Sequence, residues 1–180
     1  MMLRAAVLSL MLAAVPAFAQ SREGFGPGPV LADVGPIAPV DSDLPIPKGT
    51  RLKIAFDLRA KADPGTLSRQ IETAARTLNM HVAAGVPKQD VQIVLIAHGP
   101  AAMDLLKPEV YAARNEGKAN GSLDAVKKLL GAGVEIYLCG QTAMGQKISK
   151  ADLIPGVKMS LSAITAHALY QQRGYTLNPF

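Results

Sequence analysis

The chain has 180 residues, of which 49% are hydrophobic, so it is long and apolar enough for one folded domain with its own core. The formal net charge is +5, but the basic residues are scattered and tryptophan is absent, which argues against nucleic-acid binding through base stacking. Its single cysteine, Cys139, cannot form an internal disulfide.

The first 19 residues have the pattern of a secretory signal peptide. Arg4 precedes an apolar run over residues 5–15, which is shorter than the roughly twenty residues that cross a bilayer. Ala17 and Ala19 then form a small-x-small cleavage site. We therefore expect cleavage after Ala19 and a periplasmic protein without a membrane segment. The alternative is an uncleaved membrane anchor.

Residues 20–50 differ in composition from the rest of the chain, because they hold six of the thirteen prolines. Proline-rich sequence does not form regular helix, so this segment is predicted to be an extended arm ahead of a domain over residues 51–180. Two interpretations are open. The arm is a disordered leader, or its apolar residues, including Leu31 and Ile37, lie across a neighbouring subunit.

From Leu52 onward, strand and helix patterns alternate. Apolar runs predict strands over residues 52–58, 91–97, 134–138, 157–161 and 175–177. Helices are predicted between the strands, with starts at Asp63–Pro64, Ser122 and Ser162 and another after Gly140. Shorter helical segments are predicted between residues 101 and 115. Ser149 and Asp152 have the spacing of a capping box. This order predicts an α/β fold with a mainly parallel five-stranded sheet and helices on both faces.

Cys139 and His98 both follow buried strands, so both are predicted at the carboxyl edge of the sheet, where open α/β sheets bind ligands. Backbone N–H groups of a helix that starts after Gly140 would favour the nucleophilic thiolate, as would a protonated His98. We therefore expect catalytic roles for Cys139 and His98. The Cys139 thiol is expected at the mouth of a crevice, open to solvent.

Neighbouring residues are candidates for ligand binding. Gly140 permits a close backbone approach, and Gln141 and Thr142 offer hydrogen bonds. Gly99, directly after His98, completes this group. Asp57 and Glu109 are weaker candidates that could face the same cleft.

The three histidines and the single cysteine do not occur at metal-ligand spacing, so no metal is expected. A Cu(I) site of Met144 with His98 is conceivable, but apolar packing of Met144 is favoured. His81 and His167 are interpreted as ordinary helix residues.

The motifs at residues 98–101, 133–141, 152–158 and 163–175 resemble the DsrE/DsrF-like family. The resemblance implies a three-layer α/β/α fold and a homo-oligomer, either a trimer or a hexamer. It also implies a sulfur carrier without cofactor, in which Cys139 holds sulfane sulfur as a persulfide between a sulfur donor and an acceptor. Partner proteins or small sulfur compounds would fill those roles.

Two alternatives use Cys139 differently. In a non-enzymatic binding module, the cysteine only lines a pocket between subunits. In an oxidising compartment, it could instead form an intermolecular disulfide.

Overall fold

The computed structural model describes residues 23–179, so the predicted signal peptide lies outside the described residues. Within that range no helix is long and apolar enough to cross a bilayer. The strands are β1 (Leu52–Leu58), β2 (Val91–Ala97), β3 (Glu135–Cys139), β4 (Lys158–Ser160) and β5 (Thr176–Asn178). The α-helices are α1 (Arg69–Ala83), α2 (Pro108–Arg114), α3 (Leu123–Gly131), α4 (Gly140–Gly145) and α5 (Ala163–Gln172).

The strands form one parallel sheet in the order β4-β3-β2-β1-β5, which confirms the predicted α/β fold. Central strand β2 is apolar on both faces because helices cover both. The larger core lies between one face and helices α1 and α3, and α5 packs on the opposite face through Ala163, Ala166 and Tyr170. The chain thus has three layers.

Helix α1 begins at Arg69, so the predicted start at Asp63–Pro64 is wrong. The Asp63 carbonyl instead accepts hydrogen bonds from the N–H and hydroxyl of Thr66, which closes a turn. Ser68 then precedes the helix and donates its N–H to the Ser122 hydroxyl, a contact 54 residues away in sequence. Because the two serines are far apart in sequence, local sequence patterns do not predict this bond.

The predicted helix start at Ser162 is confirmed, because its hydroxyl accepts the N–H of Thr165. The capping box of Ser149 and Asp152 is also present, around a short 3-10 turn.

The proline-rich arm lies against the chain's own helix α1, a packing that neither interpretation of the sequence described. Asn79 of α1 accepts hydrogen bonds from the N–H groups of Val30 and Leu31. Its amide donates to the carbonyls of Leu31, Val34 and Gly35 at 2.9–3.0 Å. Because Leu31 and Val34 are buried as well, this part of the arm belongs to the core.

We predict that Asn79→Ala lowers the free energy of unfolding by about 3 kcal/mol, because it leaves several buried backbone groups without partners. Chemical denaturation would measure the change. Asn115→Ala is the matched control, since Asn115 donates one helix-end hydrogen bond, to the Tyr111 carbonyl, and should cost about 1 kcal/mol. Equal losses in the two variants would contradict the assigned role of Asn79.

Candidate functional site at the carboxyl edge of the sheet

The parallel register brings Asp57, His98 and Cys139 to one face of the sheet at its carboxyl edge. Asp57 pairs with Ile96 across β1 and β2, and Ala97 pairs with Leu138 across β2 and β3. Side chains alternate between faces, so His98 shares the face of Ile96, and Cys139 shares it too. This is the face that α5 covers.

Cys139 is more buried than the sequence analysis expected, with only 5% of its surface exposed. It packs in a small apolar cluster that includes Val94 and Ile96 of β2 and Ala163 of α5. The expectation of a solvent-open thiol is therefore wrong for the isolated chain, because α5 lies over the strand end.

Polar groups nevertheless surround the sulfur, because two helices begin beside it. Burial raises the pKa of the Cys139 thiol, but the N–H groups of Thr142, Ala163 and Gln141 and the Thr142 hydroxyl outweigh burial, and the net pKa is lowered. The neutral thiol makes no regular capping bond with these groups. These groups stabilise the charged form of the sulfur, so the site favours a thiolate.

Thr142 links the two strand ends of the site. Its hydroxyl oxygen accepts the N–H of Gly99 at 3.0 Å, which leaves its own hydrogen free to point at the sulfur. Gln146 donates to the Gly99 carbonyl at 2.8 Å and fastens the same loop to α4. The loop after His98 and the helix after Cys139 are therefore held as one unit.

Gly140 lies against the chain's own backbone. A side-chain carbon at this position would stand 2.6 Å from the Ser160 carbonyl oxygen, so the close approach of β4 requires glycine here. Gln141 is exposed and donates to the Leu161 carbonyl at 3.3 Å. Ligand-binding roles for Gly99, Gly140, Gln141 and Thr142 stay predictions.

Asp57 forms a hydrogen-bonded cluster that the sequence analysis missed in part. One carboxylate oxygen, Oδ1, lies 3.0 Å from Nε2 of both His98 and His167. Interpreting His167 as an ordinary helix residue was therefore wrong. Its helical spacing from Ala163 and Tyr170, which line the inner face of α5, is the signal that could have found it.

Of the two weaker candidates, Asp57 is the centre of this cluster, whereas Glu109 does not join it. Glu109 is exposed on α2, and Asp57 contacts His98, His167 and Arg59 instead. Met144 is 79% exposed, so the expected apolar packing of its side chain is wrong. Across residues 23–179 no group of three or more His, Cys, Asp or Glu side chains is arranged to hold a metal ion.

Large apolar side chains are exposed on the elements that bear the site. Met144 lies on α4, while Leu161 and Ile164 flank the start of α5 with 72% and 83% exposure. The two helices that begin at the sulfur therefore both carry apolar surface.

The chain is similar to solved structures and matches a family model. The chain is similar to a solved structure of the protein of unknown function MTH1491 from Methanobacterium thermoautotrophicum, with a TM-score of 0.50 and 18% identity over 72% of this chain and 99% of that one. The YchN protein from Escherichia coli matches with a TM-score of 0.49 and 17% identity, over 72% and 100%. No curated protein matches the chain. The model of the DsrE/DsrF-like family matches residues 53–179, and the chain belongs to that family.

Proposed function

We propose that this protein carries sulfane sulfur as a persulfide on Cys139 and transfers it to an acceptor thiol. The family suggests sulfur relay in general terms. The observation that supports this role for Cys139 is the set of N–H donors from α4 and α5 that lower the pKa of its thiol. A thiolate is the form that attacks sulfane sulfur, and the carrier step needs no metal or organic cofactor.

The burial of Cys139 limits what can deliver sulfur to it. With 5% of the residue exposed, the thiol is shielded from large reagents. We infer that the donor is either a small sulfur compound or a protein that displaces part of the covering helix α5. Burial then protects the bound persulfide from stray thiols and oxidants.

We also propose that the protein works as a homo-oligomer, a trimer or hexamer, and meets its sulfur partners near the site. The exposed side chains of Met144, Leu161 and Ile164 support this, because large apolar side chains exposed near a site commonly mark protein contacts. The signal-like pattern of residues 1–19 supports export to the periplasm.

The second candidate function is a non-enzymatic binding module in which Cys139 only lines a pocket. The specific observation in its favour is the packing of Cys139 among apolar side chains, which is typical of a structural cysteine. In that case the cysteine would be replaceable by alanine without loss of ligand binding or assembly.

Incubation with sodium polysulfide should add one sulfur, about 32 Da, to the intact protein, and Cys139→Ser should abolish the addition. Mass spectrometry before and after treatment with a reducing agent measures it, because a persulfide sulfur is released by reduction. Absence of labelling in the folded wild-type protein would favour the binding module. A dimer band in non-reducing electrophoresis would instead indicate the intermolecular disulfide.

Thr142→Val should raise the pKa of the Cys139 thiol, because it removes a hydroxyl donor to the thiolate. The fraction of thiolate at neutral pH then falls, and alkylation by iodoacetamide slows accordingly. Thr142→Ser keeps the hydroxyl and is the matched control, with a pKa near that of the wild type. Equal reactivity of the valine and serine variants would show that the hydroxyl has no such role.

A further inference from the structure

We propose that His98 is the proton acceptor for the Cys139 thiol and that Asp57 and His167 are positioning residues for it. This inference rests on the proposed sulfur-carrier function and adds residues to its site.

The Asp57 carboxylate fixes the tautomer of both imidazoles. A carboxylate only accepts hydrogen bonds, so Nε2 of His98 and Nε2 of His167, each 3.0 Å from Oδ1, must both carry hydrogen. In neutral His98 the lone pair is therefore on Nδ1. Among the described residues, Nδ1 of His98 has no hydrogen-bond partner, and a third of the side chain is exposed. This nitrogen is free to take a proton.

Asp57 is itself held from three sides. His98 and His167 donate to Oδ1, and Arg59 lies with its Nε 3.5 Å from Oδ2. The His167 side chain is only 14% exposed, and its Nδ1 is buried without a partner within residues 23–179. Because the buried imidazole makes its one hydrogen bond to Asp57, its role is to fix the position of the carboxylate.

His98 and Cys139 lie at the carboxyl ends of neighbouring strands, on the face of the sheet that α5 covers. The register ends with Ala97 paired to Leu138, and His98 and Cys139 are the next residues along the two neighbouring segments. Neighbouring strands lie about 4.8 Å apart. The bond from the Gly99 N–H to the Thr142 hydroxyl holds the two strand ends together. The described residues show no hydrogen bond between His98 and Cys139, so the proton passes through a bridging water or after the donor has entered.

The proposed step balances for a persulfide donor, R–S–SH. The Cys139 S–H bond breaks and an N–H bond forms at Nδ1 of His98, giving a thiolate and an imidazolium that the Asp57 carboxylate stabilises. The thiolate attacks the outer sulfur of the donor, forming Cys139–S–SH and breaking the donor S–S bond. The leaving R–S⁻ takes the proton from Nδ1 and departs as R–SH. Sulfane sulfur is transferred without any external oxidant or reductant.

The test is the pH dependence of thiolate ultraviolet absorbance, measured as the difference from Cys139→Ala. The lone cysteine makes this difference specific, and it requires no sulfur donor. We expect Asp57→Asn to move the midpoint to higher pH by about one unit, because an asparagine amide donates to Nε2 and places hydrogen on Nδ1. A simple charge effect has the opposite sign, since loss of a negative charge would move the midpoint to lower pH.

Two further variants complete the test. His98→Ala should slow polysulfide uptake about a hundredfold, and added imidazole should restore part of the rate. His167→Asn should move the absorbance midpoint in the same direction as Asp57→Asn. If the Asp57 variant fails to fold, His167→Asn takes its place in the test. His81→Asn is the matched control, because the His81 ring hydrogen-bonds to the Thr77 carbonyl within α1 and its loss should change neither readout.

An unmoved or lowered midpoint in the folded Asp57 or His167 variant, together with an unchanged rate in His98→Ala, overturns the proposal. Failure of the carrier function has a different signature. In that case the absorbance midpoints move as expected, but no sulfur is added to Cys139.

Discussion

The candidate site depends on the close approach of β4 to the start of α4. Ser160 pairs with Cys139, and the Ser160 carbonyl lies so near Gly140 that no side chain fits there. Because of this approach, α5 starts beside the sulfur and contributes the Ala163 N–H, while α4 contributes those of Gln141 and Thr142. A bulkier residue at position 140 would force these donors apart, and the thiolate would lose part of its stabilisation.

Apolar burial and polar stabilisation act on the same atom. The side chains of Val94, Ile96 and Ala163 keep water from Cys139, and the helix N–H groups compensate for the lost hydration of the sulfur. In a dry environment such fixed donors interact more strongly with a charge than they do in water. This combination suits the proposed carrier role, which requires a sulfur that is nucleophilic and also shielded from other reagents.

Much of the fold could be predicted because its information is local. The bounds of β1 and β2 follow from apolar runs, and the Ser162 cap follows from the residues next to it. Parallel order then places Cys139 and His98 at one edge. The start of α1 was not predictable, because a proline at position 64 locally favours helix while Ser68 is set by a distant bond to Ser122.

The missed parts of the site and of the arm also depend on long-range contacts. Spacing within α5 could have placed His167 on the inner face, but it does not reveal the contact with Asp57, 110 residues earlier in the chain. The arm looks like disordered sequence by composition, but Asn79 satisfies its backbone groups from a helix 48 residues downstream.

The contacts of the arm have a consequence for where the folding unit begins. Homology to the family starts at residue 53, yet Leu31 and Val34 fill space above α1. A protein trimmed to its homologous region would therefore leave an apolar strip on α1 and the amide of Asn79 facing water. Such a fragment would be prone to self-association, and the autonomous unit reaches back to the proline-rich segment.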